Sequence, residues 1–248
     1  MKNNFLVIAH RGESFDAPEN TLASVNLAWE RNDDAVEIDV RLSKDDRIVV
    51  IHDKTTLRTS GENFTVKDEN YSVLKKLDVG GFKEKSFEGE GIPLLRNIIA
   101  GMPRNKYLFV EIKSRENTAD VIKSFCEREN VNPVYVKFIS FNYKLLMHLK
   151  SLLPEFEMYW IVDDKIPIFK KNLTKIIERC KVAGLDGLDF DEKMINSKSV
   201  IDEIHKANLK LYCWTVNDVK RAKELRDWGI DGVTSDKAHW LSQQLNTG

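Results

Sequence analysis

The feature that most constrains this chain is an alternation. Short β-branched runs take turns with amphipathic helical stretches from one end to the other. Strand-like runs fall at 5–9, 35–41, 107–113, 134–140, 157–162, 187–190, 210–215 and 232–234. Apolar residues at helical spacing follow each of them, at 21–31, 94–101, 118–129, 143–152, 168–182, 198–207, 218–228 and 238–245. Eight strands, each followed by a helix, in 248 residues predict an α/β fold of the (β/α)8 TIM barrel kind. An open doubly wound sheet is the alternative, but no glycine-rich dinucleotide fingerprint follows the first strand.

One run breaks the rhythm. Residues 47–53 also read as a strand, and only Ser43-Lys44-Asp45-Asp46 separates them from the strand before. A parallel crossover takes about a dozen residues or more, so these two runs are expected to form a hairpin. A turn centred between 44 and 45 sets His52 opposite Glu37. Residues 54–92 then hold five of the twelve glycines and show little periodicity beyond a helical turn near 72–77. They read as a small insertion after the second strand, an excursion above the barrel. Its aromatics Phe64, Tyr71, Phe82 and Phe87 either line a pocket or hold a satellite core. With this insertion, residues 1–248 are read as one domain.

In a barrel of this kind, chemistry sits at the C-terminal ends of the strands. The first strand ends in His10-Arg11-Gly12. The second carries Glu37 and Asp39, two apart and so on one face, with Val36, Ile38 and Val40 on the other. The third repeats the pattern with Glu111 and Lys113. A barrel strand is buried on both faces and should be apolar throughout. Adjacent inward carboxylates repel and lose hydration unless a cation balances them; the plainer reading is rim charges in ordinary ion pairs. Glu37, Asp39 and Glu111 form an all-oxygen set of the kind hard cations such as Mg²⁺ or Ca²⁺ prefer. Three carboxylates, a divalent ion, Arg11 and Lys113 sum to roughly +1, which complements a phosphodiester monoanion. His10 and His52, with ordinary pKa values near 6.5, suit a general base and a general acid at neutral pH. Together they read as metal-assisted phosphoester cleavage.

These residues fall in longer strings: His10-Arg11-Gly12, Pro18-Glu19-Asn20-Thr21, Glu37-Ile38-Asp39-Val40, His52-Asp53, Glu111-Ile112-Lys113, Ser140-Phe141, Trp214-Thr215-Val216-Asn217 and Asp231-Gly232-Val233-Thr234-Ser235-Asp236. In combination, from residue 10 to residue 236, they resemble the glycerophosphodiester phosphodiesterases of the bacterial cytoplasmic type. The resemblance implies a divalent cation on Glu37, Asp39 and Glu111, His10 and His52 as the acid/base pair, and Arg11 and Lys113 on the phosphate. The implied reaction is hydrolysis of a small-molecule glycerophosphodiester to glycerol 3-phosphate and an alcohol. Two departures stand out: Arg96-Asn97 where the family often has an acidic residue, and Asp45-Asp46 where its turn usually reads Asp-Gly.

Other positions admit two readings. Glu19 and Asn20 either touch substrate or support the residues that do, or else Asn20 or Thr21 serves the start of the first helix. Trp214 either walls the substrate pocket or packs the barrel top. Thr234, Ser235 and Asp236 are expected to cap a helix, and Asp189 and Asp191 to be rim charges. Rival activities are a lysophospholipase D acting on longer chains and a Schiff-base aldolase using Lys113. Composition narrows the rest. Thirty-eight basic and 39 acidic residues leave a net charge of −1, which argues against a nucleic-acid partner held by bulk charge. No apolar run approaches the ~18–20 residues of a membrane span, and the opening apolar stretch is short for a secretory leader, so the expectation is a cytoplasmic protein without a stable membrane anchor. Cys126, Cys180 and Cys213 are too widely spaced for a zinc site and suit buried free thiols.

Overall fold

A computed structural model of the chain describes residues 5–114, 118–163 and 172–247. The expected alternation is there. Strand β1 (Leu6–His10) leads through helix α1 (Leu22–Glu30) to β2 (Ala35–Leu42), which turns into the short antiparallel β3 (Ile48–Val50). The excursion follows, with two single-turn helices, α2 (Leu57–Ser60) and α3 (Tyr71–Leu74), before α4 (Leu95–Gly101) resumes the barrel. Then come β4 (Tyr107–Ile112), α5 (Thr118–Arg128), β5 (Val136–Ser140), α6 (Tyr143–Leu152), β6 (Met158–Val162) and α7 (Leu173–Val182). The chain ends with β7 (Gly187–Asp191), α8 (Lys198–Lys206), β8 (Lys210–Trp214), α9 (Val219–Trp228), β9 (Gly232–Ser235) and α10 (Ala238–Asn246). The first residues of the helix expected at 168–182 lie outside the described residues.

Strands β1, β2 and β4 to β9 are all parallel, and β1 pairs with both β2 and β9, which closes a (β/α)8 barrel. The helices cover the outside because the outward residues of the strands are mostly apolar; Val36, Ile38, Val110, Leu188 and Phe190 join one continuous core with residues of the barrel helices such as Val25, Ile122 and Leu241. Inside, the N-terminal half of the barrel is plugged by Phe109, Tyr159 and Tyr212, whose rings meet at 4.9–6.1 Å. Above that plug the interior turns polar, and the site lies there.

The hairpin forms, but its register differs by one residue from the expectation. Val40 faces Val50 and Leu42 faces Ile48, so the turn centres on Asp45 and His52 is not opposite Glu37. The reason is a three-residue loop: Ser43 N–H donates to Arg47 O, and Asp46 sits at φ 54°, the left-handed position such a loop requires. In this register a longer β3 would turn His52 toward the helices. The strand instead stops at Val50 and the chain bends, which carries His52 back to the barrel mouth. The excursion has its own small core of Val49, Ile51, Val66, Leu74, Leu77, Val79, Ile92 and Leu94. Phe64 and Tyr71 pack against it, whereas Phe82 is exposed. All three cysteines are buried and free. Among the described residues no helix is long and apolar enough to cross a membrane.

Candidate active site

The site begins where β1 ends. His10 closes the strand, and Arg11 and Gly12 then turn the chain at φ 57° and 78°. Gly12 is needed there, because a Cβ would come within 2.5 Å of Ser24 Oγ on α1. The turn aims the Arg11 N–H at Glu37 Oε2, 3.1 Å away, and sends the Arg11 guanidinium over Asp39, with Nε 3.2 Å from Oδ2. The β2–β4 register sets Asp39 beside Glu111, so oxygens of Glu37, Asp39 and Glu111 lie within 4.8 Å of one another, all three residues buried.

Burial and mutual repulsion govern how these carboxyls titrate. Burial, with Asp39 and Glu111 close by, pushes Glu37 well above the carboxylate range. Burial and Asp39 push Glu111 up to about 7. Asp39 resists the same burial because Lys113 and Arg11 face it, and it stays below its usual value. Burial and mutual repulsion therefore work against all three carboxyls being charged together. Among the described residues, Glu37 Oε1 accepts no hydrogen bond, and Asp39 Oδ1 and Glu111 Oε1 meet only the Lys113 ammonium, at 3.1 and 2.7 Å. Convergent buried oxygens short of donors are what a hard divalent cation would satisfy, so the donor set fits such an ion.

Each histidine is tied at one nitrogen. His10 Nδ1 lies 2.6 Å from Asp236 Oδ1, and Asn217 donates to the other Asp236 oxygen at 2.7 Å. His52 Nδ1 lies 2.6 Å from Asp53 Oδ1. Burial would raise both aspartates, yet the bonds from His10 and Asn217 keep Asp236 low, and those from Arg58 and His52 keep Asp53 low. As carboxylates they can only accept, so each Nδ1 donates and each Nε2 is left without that proton. His10 Nε2 lies 4.0 Å from Glu37. For His52, burial together with Lys113 and Arg11 lowers the pKa against the pull of Asp39, which favours the neutral ring.

A chain of charge runs from the His52–Asp53 pair to Arg11. Asp53 accepts from Arg58 at 2.6 Å, Arg58 holds Glu19 through two bonds at 2.6 and 2.7 Å, and Glu19 accepts from Arg11 at 2.8 Å. Asn20, at φ 58°, spends its amide on Asp39, donating to Oδ2 at 2.8 Å and accepting the Asp39 N–H at 3.0 Å. Capping of α1 falls to Thr21 instead. Trp214 stands at the rim, edge-on to Phe141 at 5.7 Å, and Phe141 in turn lies under the Lys113 ammonium. Lys113 itself is raised by Asp39 and Glu111 despite its burial, so it stays protonated, the opposite of what an imine-forming lysine needs.

Two expectations are corrected. Asp236 orients His10; it does not cap a helix. The cause is barrel closure: Ala9 pairs with Ser235, so the next residues, His10 and Asp236, are level although 226 positions apart. Asp189 is no rim charge. It points inward between the outward Leu188 and Phe190, is 4% exposed, and burial beside Glu111 raises its pKa well above the usual range. Asp191 does lie at the end of its strand, accepting the Lys193 N–H at 3.0 Å.

A (β/α)8 barrel whose mouth joins clustered carboxylates, two carboxylate-oriented imidazoles and two fixed cations is an enzyme fold equipped for phosphoester chemistry. Residues 10–239 match the family model of the glycerophosphoryl diester phosphodiesterase family, and the chain belongs to that family. A glycerophosphodiester phosphodiesterase of Caldanaerobacter subterraneus is 29% identical, with 98% of each chain covered. The solved structure of an Oleispira antarctica phosphodiesterase in complex with the product sn-glycerol-3-phosphate superposes with a TM-score of 0.87 at 30% identity, over 97% of this chain and 96% of that one. A glycerophosphodiester phosphodiesterase of Thermotoga maritima gives 0.80 at 25% identity, over 96% and 97%.

Proposed function

We propose that this protein hydrolyses glycerophosphodiesters to glycerol 3-phosphate and an alcohol in a reaction that depends on a divalent cation. The observation that carries this reading is the meeting of two oriented imidazoles with the buried cluster of Glu37, Asp39 and Glu111 at one barrel mouth. Mg²⁺ or Ca²⁺ held by those three residues would supply Lewis-acid polarisation of a phosphoryl oxygen. Arg11 and Lys113 neutralise the phosphate and hold it between the histidines. His52, kept neutral by its surroundings, takes a proton through Nε2 from the nucleophile, a water or the neighbouring glycerol hydroxyl. The new P–O bond forms as the bond to the alcohol breaks, and His10 donates the proton that the departing alkoxide needs. If water is the nucleophile, the two products form in this one step; if the glycerol hydroxyl is, the step leaves a cyclic glycerol phosphate, and a water deprotonated by the now neutral His10 then breaks one ring P–O bond, the released oxygen taking the proton from His52. Asp236 and Asp53 fix the tautomers, and Glu19 and Asn20 hold Arg11 and Asp39 in place. Trp214 and Phe141 wall the glycerol side.

The test is release of glycerol 3-phosphate from a panel of glycerophosphodiesters by the purified protein, with Mg²⁺ and with Ca²⁺. His10→Ala and His52→Ala are each expected to lower kcat by about 10²–10⁴, with the fold intact by circular dichroism. Full activity in either variant overturns its assignment.

A further inference from the structure

A cavity of 560 Å³ opens beside the reacting centre, at the seam between the β2–β3 turn and the excursion. Among the described residues its wall includes Arg41, Lys44, Lys54, Lys67, Lys113 and a single acid, Asp46. Lys113 belongs to both places, since its ammonium also touches Asp39 and Glu111. Arg41 continues the inward row of Glu37 and Asp39 along β2. One step past the paired Val40 and Ile112, it stands level with Lys113. The two cations therefore sit directly above the two carboxylates Asp39 and Glu111.

The charge of this cavity does not cancel. Lys113 is balanced by the carboxylates beneath it, and Lys67 pairs with Asp68 at 2.6 Å. Arg41 spends its N–H groups on two backbone carbonyls, His52 O at 2.8 Å and Lys113 O at 3.3 Å, and forms no ion pair among the described residues. Lys44 and Lys54 likewise form none there. Among the described residues, Lys44 and Lys54 against Asp46 leave about +1 next to the phosphate position, and Arg41 adds donors while sharing its charge with Asp39, Asp53 and Glu111. The backbone that carries them is fixed: Lys44 N–H donates to Glu69 O at 2.8 Å, and Lys54 O accepts from Val66 N–H at 3.0 Å.

We propose that this cavity receives the alcohol side of the diester and that the enzyme prefers alcohols carrying a further phosphate. This specificity rests on the hydrolytic reading above, but the anion site itself does not. A quaternary ammonium alcohol would meet like charge here and a neutral alcohol would gain nothing, whereas a phosphate would be held by Arg41, Lys44 and Lys54.

The anion site is tested without turnover by comparing glycerol 3-phosphate with glycerol 1,3-bisphosphate, neither of which is a diester, in titration calorimetry. The bisphosphate is expected to bind about tenfold tighter at low salt. That preference should vanish in about 0.5 M NaCl and in the doubly substituted Lys44→Ser, Lys54→Ser protein. The specificity is read as the ratio of kcat/KM for phosphorylated glycerophosphoglycerol over glycerophosphocholine. It is expected to exceed about tenfold in the wild type and to drop toward unity in the double variant. Equal binding of the two phosphates, or a preference that survives the double substitution, overturns the proposal. Equal kcat/KM for the two diesters overturns the specificity. No hydrolysis of any diester beside an intact bisphosphate preference overturns the hydrolytic reading and leaves the anion site supported.

Discussion

At the scale of single residues, the site works through pairs. The proton donor proposed for His10 requires the tautomer that Asp236 imposes, and Asp236 is itself held by Asn217. Asp236→Asn keeps the shape but can offer its amide N–H to the ring, which favours the wrong tautomer. It is expected to lower kcat about 10–100-fold while KM changes little, a split that steady-state kinetics reads directly. An equal rise in KM with unchanged kcat would mean that Asp236 serves binding. Arg11 shows the same economy: one residue in a left-handed turn uses its backbone on Glu37 and its side chain on Asp39 and Glu19.

At the scale of elements, the excursion does a specific task. Strand β3 is only three residues long, and what brings His52 back over the barrel is the bend after Val50, braced by the small core around Leu74. Leu74 is fully buried, so Leu74→Ala should cost about 2–5 kcal/mol in urea unfolding. Because Asp53 and Arg58 leave from the same segment, kcat should drop with it. Unchanged activity in a clearly destabilised variant would show that His52 is held from elsewhere. This element also marks how far the sequence could be read. The barrel was legible because each strand and helix announces itself through local periodicity, and Glu37, Asp39, Glu111 and Lys113 stood out as charges on strands that should be apolar. The hairpin register was not, since a single left-handed residue, Asp46, adds one position to the turn. Nor was Asp236, whose contact with His10 exists only once the last strand closes on the first. Asp189 was missed for a simpler reason: the run 187–190 looked one residue shorter than β7 (Gly187–Asp191), which made a mid-strand inward charge read as a rim charge.

At the scale of the whole molecule, a net charge of −1 conceals a separation. Buried carboxyls gather at the barrel centre, and unbalanced cations line one side of the mouth. Without a cation the cluster stores protons. Glu111 titrates at about 7 in the fold against an ordinary 4.5, so between those values the folded chain keeps a proton the unfolded chain has lost. Metal-free stability should therefore fall as pH rises through this window. Asp39 acts oppositely, and its contribution is lost only in acid. A bound divalent ion replaces those protons and should flatten the fall, which thermal melting from about pH 5 to pH 8 with and without Mg²⁺ or Ca²⁺ would read. A melting temperature that rises over this range in the metal-free protein would contradict the assignment of the cluster. The most direct measurement of the central claim is a titration of activity. Protein stripped with EDTA is assayed for glycerol 3-phosphate release from a glycerophosphodiester while Mg²⁺ or Ca²⁺ is added back. The expected result is near-zero turnover in the stripped wild type, restored saturably by the ion, with Glu111→Gln requiring about 10–100-fold more ion. Full turnover in EDTA would contradict it.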